Sequence, residues 1–148
     1  MTLHPQAERL VALMASRGQK GFADQTPEEA RLARPDYVSD EHVYEIRDVN
    51  ALGVQCRLYK PRAGNDMGLL VFFHGGGWVV GSLNSHDAVC RSLANQSGHA
   101  VLSVGYRLAP EDPFPAGLED CIRATLWAHQ SADEIGIDPT RIAVGGDS

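Results

Sequence analysis

The spacing of apolar residues changes twice along the chain, and each change predicts a new kind of element. Near the start, Leu10, Val11, Leu13 and Met14 recur at helical spacing between Pro5, suited to a first helical position, and Gly18, suited to a stop. Thr26-Pro27-Glu28-Glu29 predicts a second helix: Thr26 caps it, Pro27 takes its first position, and Glu29 stands three residues after the cap. That helix is expected to pass through Ala30 and Leu32 and to end near Pro35, and a polar loop from Gln19 to Gln25 joins the two. Helices this short bury no core of their own, so residues 1–40 read as an appendage on the body formed by 41–148.

From Val43 the period becomes two: Val43, Glu45, Arg47 and Val49 alternate with Tyr44, Ile46 and Asp48. After Asn50-Ala51-Leu52-Gly53 the run Val54 to Tyr59 follows, closed by Pro61, which predicts an antiparallel hairpin. Leu69 to Phe73 is apolar without alternation, as in a strand buried on both faces. Asn84 to Gln96 predicts a helix, with Ser85 as cap, Asp87 at its positive end and Gly98 as stop. Ala100 to Val104 is a second buried strand, and Tyr106 to Pro115 a loop with three prolines. Ala116 to Gln130 is a helix whose apolar face is expected from Leu118, Ile122, Leu126 and Trp127. Gly136-Ile137-Asp138-Pro139 is a turn before a third short strand, Ile142 to Val144. Strand, helix, strand, helix, strand predicts an α/β protein with a parallel sheet and right-handed crossovers.

In such sheets ligands bind beyond the carboxyl ends of the strands. His74-Gly75-Gly76-Gly77-Trp78 follows the first buried strand, and Gly145-Gly146-Asp147-Ser148 follows the third, so both fall on one rim. A glycine run lets the backbone approach a ligand closely. Its N–H groups are fixed dipoles able to stabilise an oxyanion, a single donor being worth about 2.7–4 kcal/mol of barrier. Neither phosphate-loop spacing, G-x-x-x-x-G-K nor G-x-G-x-x-G, is present. Gly-Asp-Ser read alone fits a helix cap; read with the glycine loop it fits the front half of a G-x-S-x-G nucleophile elbow, with Ser148 as nucleophile and Gly75 and Gly76 as oxyanion donors. Asp147 is expected to orient or support, His74 to brace the loop with Gly77 and Trp78, and His86 to brace it or meet substrate. The other histidines, His4, His42, His99 and His129, read as ordinary solvated or packed residues.

Composition narrows the partners. The 148 residues are 43% hydrophobic and 22% charged, ordinary for a globular domain, and the net charge of -6 with no Lys/Arg cluster argues against nucleic acid and anionic membranes. No run approaches the ~18 apolar residues of a membrane span. Residues Met1 to Met14 include His4, Glu8 and Arg9 and lack the apolar core of a signal peptide. Cys56, Cys90 and Cys121 stand far apart, which favours buried free thiols over disulfides or zinc, and with them a cytoplasmic location.

Five spaced motifs in order resemble one family. His74-Gly75-Gly76-Gly77-Trp78, Ser85-His86-Asp87, Tyr106-Arg107-Leu108-Ala109-Pro110-Glu111, Pro113-Phe114-Pro115-Ala116 and Gly145-Gly146-Asp147-Ser148 are similar to the successive signatures of the hormone-sensitive-lipase-like (bacterial type IV) esterases. Gly105 and Asp112 stand where that family often has Asp and His. The resemblance implies an α/β-hydrolase fold, a three-layer α/β/α sandwich with a mostly parallel sheet, of which only the first part is present. It implies that residues 1–40 form part of a cap and 41–148 the start of the catalytic domain. It also implies a carboxylic ester hydrolase of short- to medium-chain acyl esters, working through an acyl-serine intermediate on Ser148. Gly75, Gly76 and the residue after Ser148 would form the oxyanion hole, and the triad's acid and histidine would follow position 148. No metal or organic cofactor is required. An amidase or formamidase would use the same residues, and a receptor of the same fold would lack a working triad. Small acyl esters are the expected partners, a homodimer stays open as an assembly, and residues 1–148 alone are expected to be inactive.

Overall fold

The computed structural model describes residues 3–18, 20–21, 24–33, 36 and 38–148. Pro35 and parts of the Gln19–Gln25 loop, both named above, lie outside them. The chain divides into two compact units, residues 1–33 and 34–148.

The first unit holds α1 (Pro5–Ser16) and α2 (Pro27–Leu32). Pro5 opens α1 as expected, and Leu10, Val11, Leu13 and Met14 are all exposed. In α2 the capping box closes in both directions: Thr26 Oγ1 accepts from Glu29 N–H at 3.2 Å, and Glu29 Oε2 accepts from Thr26 N–H at 3.0 Å.

The second unit is a five-stranded sheet flanked by helices. Its elements are β1 (Glu45–Ala51), β2 (Val54–Lys60), β3 (Leu69–Phe73), α3 (Asp87–Ser97), β4 (Ala100–Gly105), α4 (Ala116–Gln130), α5 (Ala132–Ile135) and β5 (Ile142–Gly146). The strand order is β1-β2-β4-β3-β5, with β1, β2 and β4 antiparallel and β4, β3 and β5 parallel. The hairpin turn is shorter than the four residues expected. Ala51 pairs with Val54, leaving Leu52 and Gly53 as the loop, both at positive φ (54° and 95°) as a type I′ turn demands.

The main core lies between the sheet and α4–α5, and includes Cys56, Leu58, Val71, Leu102 and Val104. Each fully buried Val or Leu contributes about 1.5–3 kcal/mol. A smaller core under α3 gathers Tyr59, Phe72, Cys90 and Val101. Two sequence expectations are corrected here. Ser85 does not cap α3: the helix begins at Asp87 after His86, and Ser85 Oγ takes Ser82 N–H at 2.8 Å instead. The face of α4 that meets the sheet is not Leu118-Ile122-Leu126, which are 42%, 53% and 56% exposed. It is Gly117, Cys121, Ala124, Trp127 and Ala128, whose mostly small side chains let the helix lie close on the strands. All three cysteines are buried free thiols, and burial pushes Cys56 and Cys90 up to about 12 and Cys121 up to about 11.

Candidate active site

The register of the three parallel strands sets the site. Phe73 of β3 lies opposite Val104 of β4 on one side and Gly146 of β5 on the other. The next residues of all three strands therefore emerge together: His74-Gly75 in the middle, Gly105-Tyr106 on one flank and Asp147-Ser148 on the other. The glycine loop and the elbow meet, as their places in the sequence predict.

Their approach is close. A Cβ on Gly75 would stand 2.8 Å from Ser148 Cβ and 2.8 Å from Asp147 Oδ2, so only glycine fits against the exposed serine. Gly76 has φ +136°, and a Cβ there would run into the carbonyl oxygen of Val80. That carbon-free corner lets the chain turn back: Val79 N–H and Val80 N–H both donate to Gly76 C=O at 3.1 Å.

Histidine and carboxylate contacts tie the rim together. Asp147 Oδ1 accepts Gly75 N–H at 2.6 Å, while its Oδ2 lies 3.3 Å from His86 Nε2. A carboxylate only accepts, so Nε2 carries the hydrogen of that contact. His86 Nδ1 in turn faces Ser85 Oγ at 2.9 Å. Burial of Asp147 opposes its ionisation, but the bonds from Gly75 N–H and His86 outweigh it and hold the carboxyl below its ordinary value. His74 is buried, and burial pulls its imidazole below the ordinary histidine value despite a contact with Gly75 C=O at 3.1 Å. An uncharged imidazole here adds no charge beside the glycine loop.

The rings of His86, His74 and Tyr106 stack in series, with centroids 5.4 and 4.2 Å apart, and Trp78 closes the row 5.1 Å from Tyr106. A cleft of about 410 Å³ opens in front, between the glycine loop, Tyr106, Leu118, Val144 and Ser148. Trp78, half exposed, borders this cleft and a smaller apolar one near Phe114. Gly77 lines the cleft without a side chain of its own. His4, His42, His99 and His129 do not line it.

Tyr106 belongs to the site as well, although its motif in the sequence assigns it no part there. The available signal is position: it is the first residue past β4, on the same rim as the two glycine motifs. Chemically, the rim offers a solvent-facing hydroxyl beside backbone N–H groups. Gly75 N–H is held by Asp147, and Gly76 N–H carries no hydrogen bond among the described residues. Also among the described residues, no cluster of three His, Cys, Asp or Glu side chains could hold a metal ion, and no helix is long and apolar enough to cross a membrane.

Comparison with known proteins agrees with this architecture. Residues 70–148 match the family model described as alpha/beta hydrolase fold. A carboxylic ester hydrolase, LipN, of Mycobacterium tuberculosis is 52% identical over 96 residues, covering 64% of this chain and 26% of that protein. An ethyl acetate hydrolase of Pseudomonas putida is 42% identical over 142 residues, covering 93% of this chain and 43% of that protein. The solved hyperthermophilic esterase from the archaeon Pyrobaculum calidifontis superposes with a TM-score of 0.85 at 35% identity, over 99% of this chain and 50% of that one. The chain thus spans half or less of the length of these relatives. With the sheet order and the glycine loop on the strand rim in place, the chain belongs to the α/β-hydrolase family, within its hormone-sensitive-lipase-like group.

Proposed function

We propose that the protein to which this chain belongs hydrolyses carboxylic esters of small acyl groups through an acyl-serine intermediate. The observation that carries this reading is the close approach of Gly75 to Ser148, which leaves no room for a side chain at position 75. An ester carbonyl in the cleft would be attacked by Ser148 Oγ, whose proton passes to a histidine that the family resemblance expects after position 148. The negative charge that develops on the carbonyl oxygen would fall to Gly76 N–H, which has no partner among the described residues, and to Gly75 N–H. Gly75 can serve only when Asp147 relaxes its 2.6 Å bond, so Asp147, held in turn by His86, competes with the developing oxyanion for that donor. Collapse of the tetrahedral intermediate expels the alcohol, and water then releases the acid from the acyl-serine.

An ethyl acetate hydrolase among the relatives supports short acyl chains. The test is Ser148→Ala in the complete protein, assayed on p-nitrophenyl esters of two to eight carbons. Turnover should fall by roughly five to six orders of magnitude with unfolding behaviour unchanged. Turnover within tenfold of wild type would end the assignment.

A further inference from the structure

The His74–Gly75 peptide directly follows Phe73, which the sheet register places between Val104 of β4 and Gly146 of β5. Both ends of that peptide are held. Its N–H donates to Asp147 Oδ1 from the β5 side. Its C=O accepts a hydrogen bond from Tyr106 Oη on the β4 side. We propose that Tyr106 is a positioning residue for the oxyanion hole: its hydroxyl locks the plane of the His74–Gly75 peptide, which carries the Gly75 N–H, and lies beside His74 Nδ1, which contacts the C=O of the next peptide, the one that carries the Gly76 N–H. This role rests on the esterase reading above.

Three observations support a dedicated role over simple packing. First, Tyr106 is buried and its ring already packs flat on His74, at 4.2 Å and 17°, so apolar contact alone would be served equally by phenylalanine. Second, its hydroxyl is directed at the loop, donating to His74 C=O and lying 3.2 Å from His74 Nδ1. Burial raises the phenol to about 12, so it stays a donor throughout the working pH range. Third, the segment it fixes is the one least able to fix itself. Glycine at 75 and 76 leaves the backbone free to flip peptide planes, and a flipped plane would present C=O where N–H is needed. A donor bound to the carbonyl opposes that flip, and by polarising the peptide it strengthens the N–H at the other end.

The test is Tyr106→Phe in the complete protein, with 3-fluorotyrosine at 106 as the conservative variant that retains the donor. Tyr106→Phe should lower kcat about tenfold to a hundredfold, less than the 10²–10³ of removing a donor outright. KM should change by less than about threefold, and binding of a trifluoromethyl ketone, which mimics the oxyanion, should weaken in parallel with kcat/KM. The fluorotyrosine protein should recover kcat to within about threefold. Wild-type kcat in Tyr106→Phe, or a loss confined to KM, would overturn the proposal. If Tyr106→Phe fails to fold, the fluorotyrosine protein still decides: phenol ionisation should bring a loss of kcat to lower pH than in wild type, and an unshifted profile would count against the role. Ser148→Ala, run alongside, separates the two failures. An inactive Ser148→Ala with an unaffected Tyr106→Phe removes the positioning role alone, whereas an active Ser148→Ala removes the esterase reading beneath it.

Discussion

His74 shows how one residue can be read correctly as a type and still be incompletely read. Its place before three glycines marks it as a brace, but its partners come from the neighbouring strand, the α3 entrance and its own loop. Tyr106 turns both ring and hydroxyl to His74, and nothing in a linear motif says which side chain crosses to a neighbouring strand. That information lies in the register. Burial lowers the His74 value below its ordinary 6.5, with a consequence for stability. The unfolded chain takes up a proton near pH 6.5 while folded His74 does not, so this contribution is complete above pH 6.5 and is lost as pH falls toward the lower folded value. Urea midpoints measured at pH 7.5, 6.5 and 5.5 should therefore decline, and His74→Gln should flatten that decline. An equal slope in the variant would show that other groups carry it.

At the scale of elements, the capping box at Thr26, the Pro5 start, the Gly98 stop and the span of α4 follow from local rules, because caps and stops act within one turn of chain. The buried face of α4 does not follow from them. Large apolar residues at helical spacing mark a face that can be covered. Which face meets the sheet depends on how closely the backbone must approach, and here the small Ala124 and Ala128 are buried while the bulkier Ile122 and Leu126 stay exposed. The hairpin turn is a similar case. Asn50 Oδ1 receives Gly53 N–H at 2.6 Å and closes a tight two-residue loop that puts Leu52 at φ 54°. A left-handed conformation costs a non-glycine residue about 1–2 kcal/mol, and Asn tolerates it better. Leu52 is 60% exposed and loses little burial on replacement. Leu52→Asn should stabilise the protein by about 0.5–1 kcal/mol in urea unfolding; a destabilised variant would mean that the leucine side chain matters more than the turn.

Across the molecule, sequence order alone places both glycine motifs on one rim, since parallel strands deliver their loops to the same edge. What holds that rim rigid is less legible. Asp87, expected only to suit a helix N-terminus, is fully buried and gathers Ser39 N–H at 3.0 Å, Tyr59 Oη–H at 2.9 Å and Arg91 Nε–H at 2.7 Å. This hub sits one residue from His86, so the entrance of α3 is anchored to β2 and to the segment before β1 where it supports the Asp147 contact. A buried carboxylate of this kind is stable only with such partners, and two of them come from positions 28 and 48 residues away along the chain. The glycine row and its supports converge on Ser148, the proposed nucleophile, and the most direct measurement is therefore chemical. The complete protein and its Ser148→Ala variant would be incubated with a fluorophosphonate, and adducts located by intact mass and peptide mapping. One adduct, on Ser148 and absent from the variant, is the expected result; ester hydrolysis that persists with no adduct on Ser148 would contradict it.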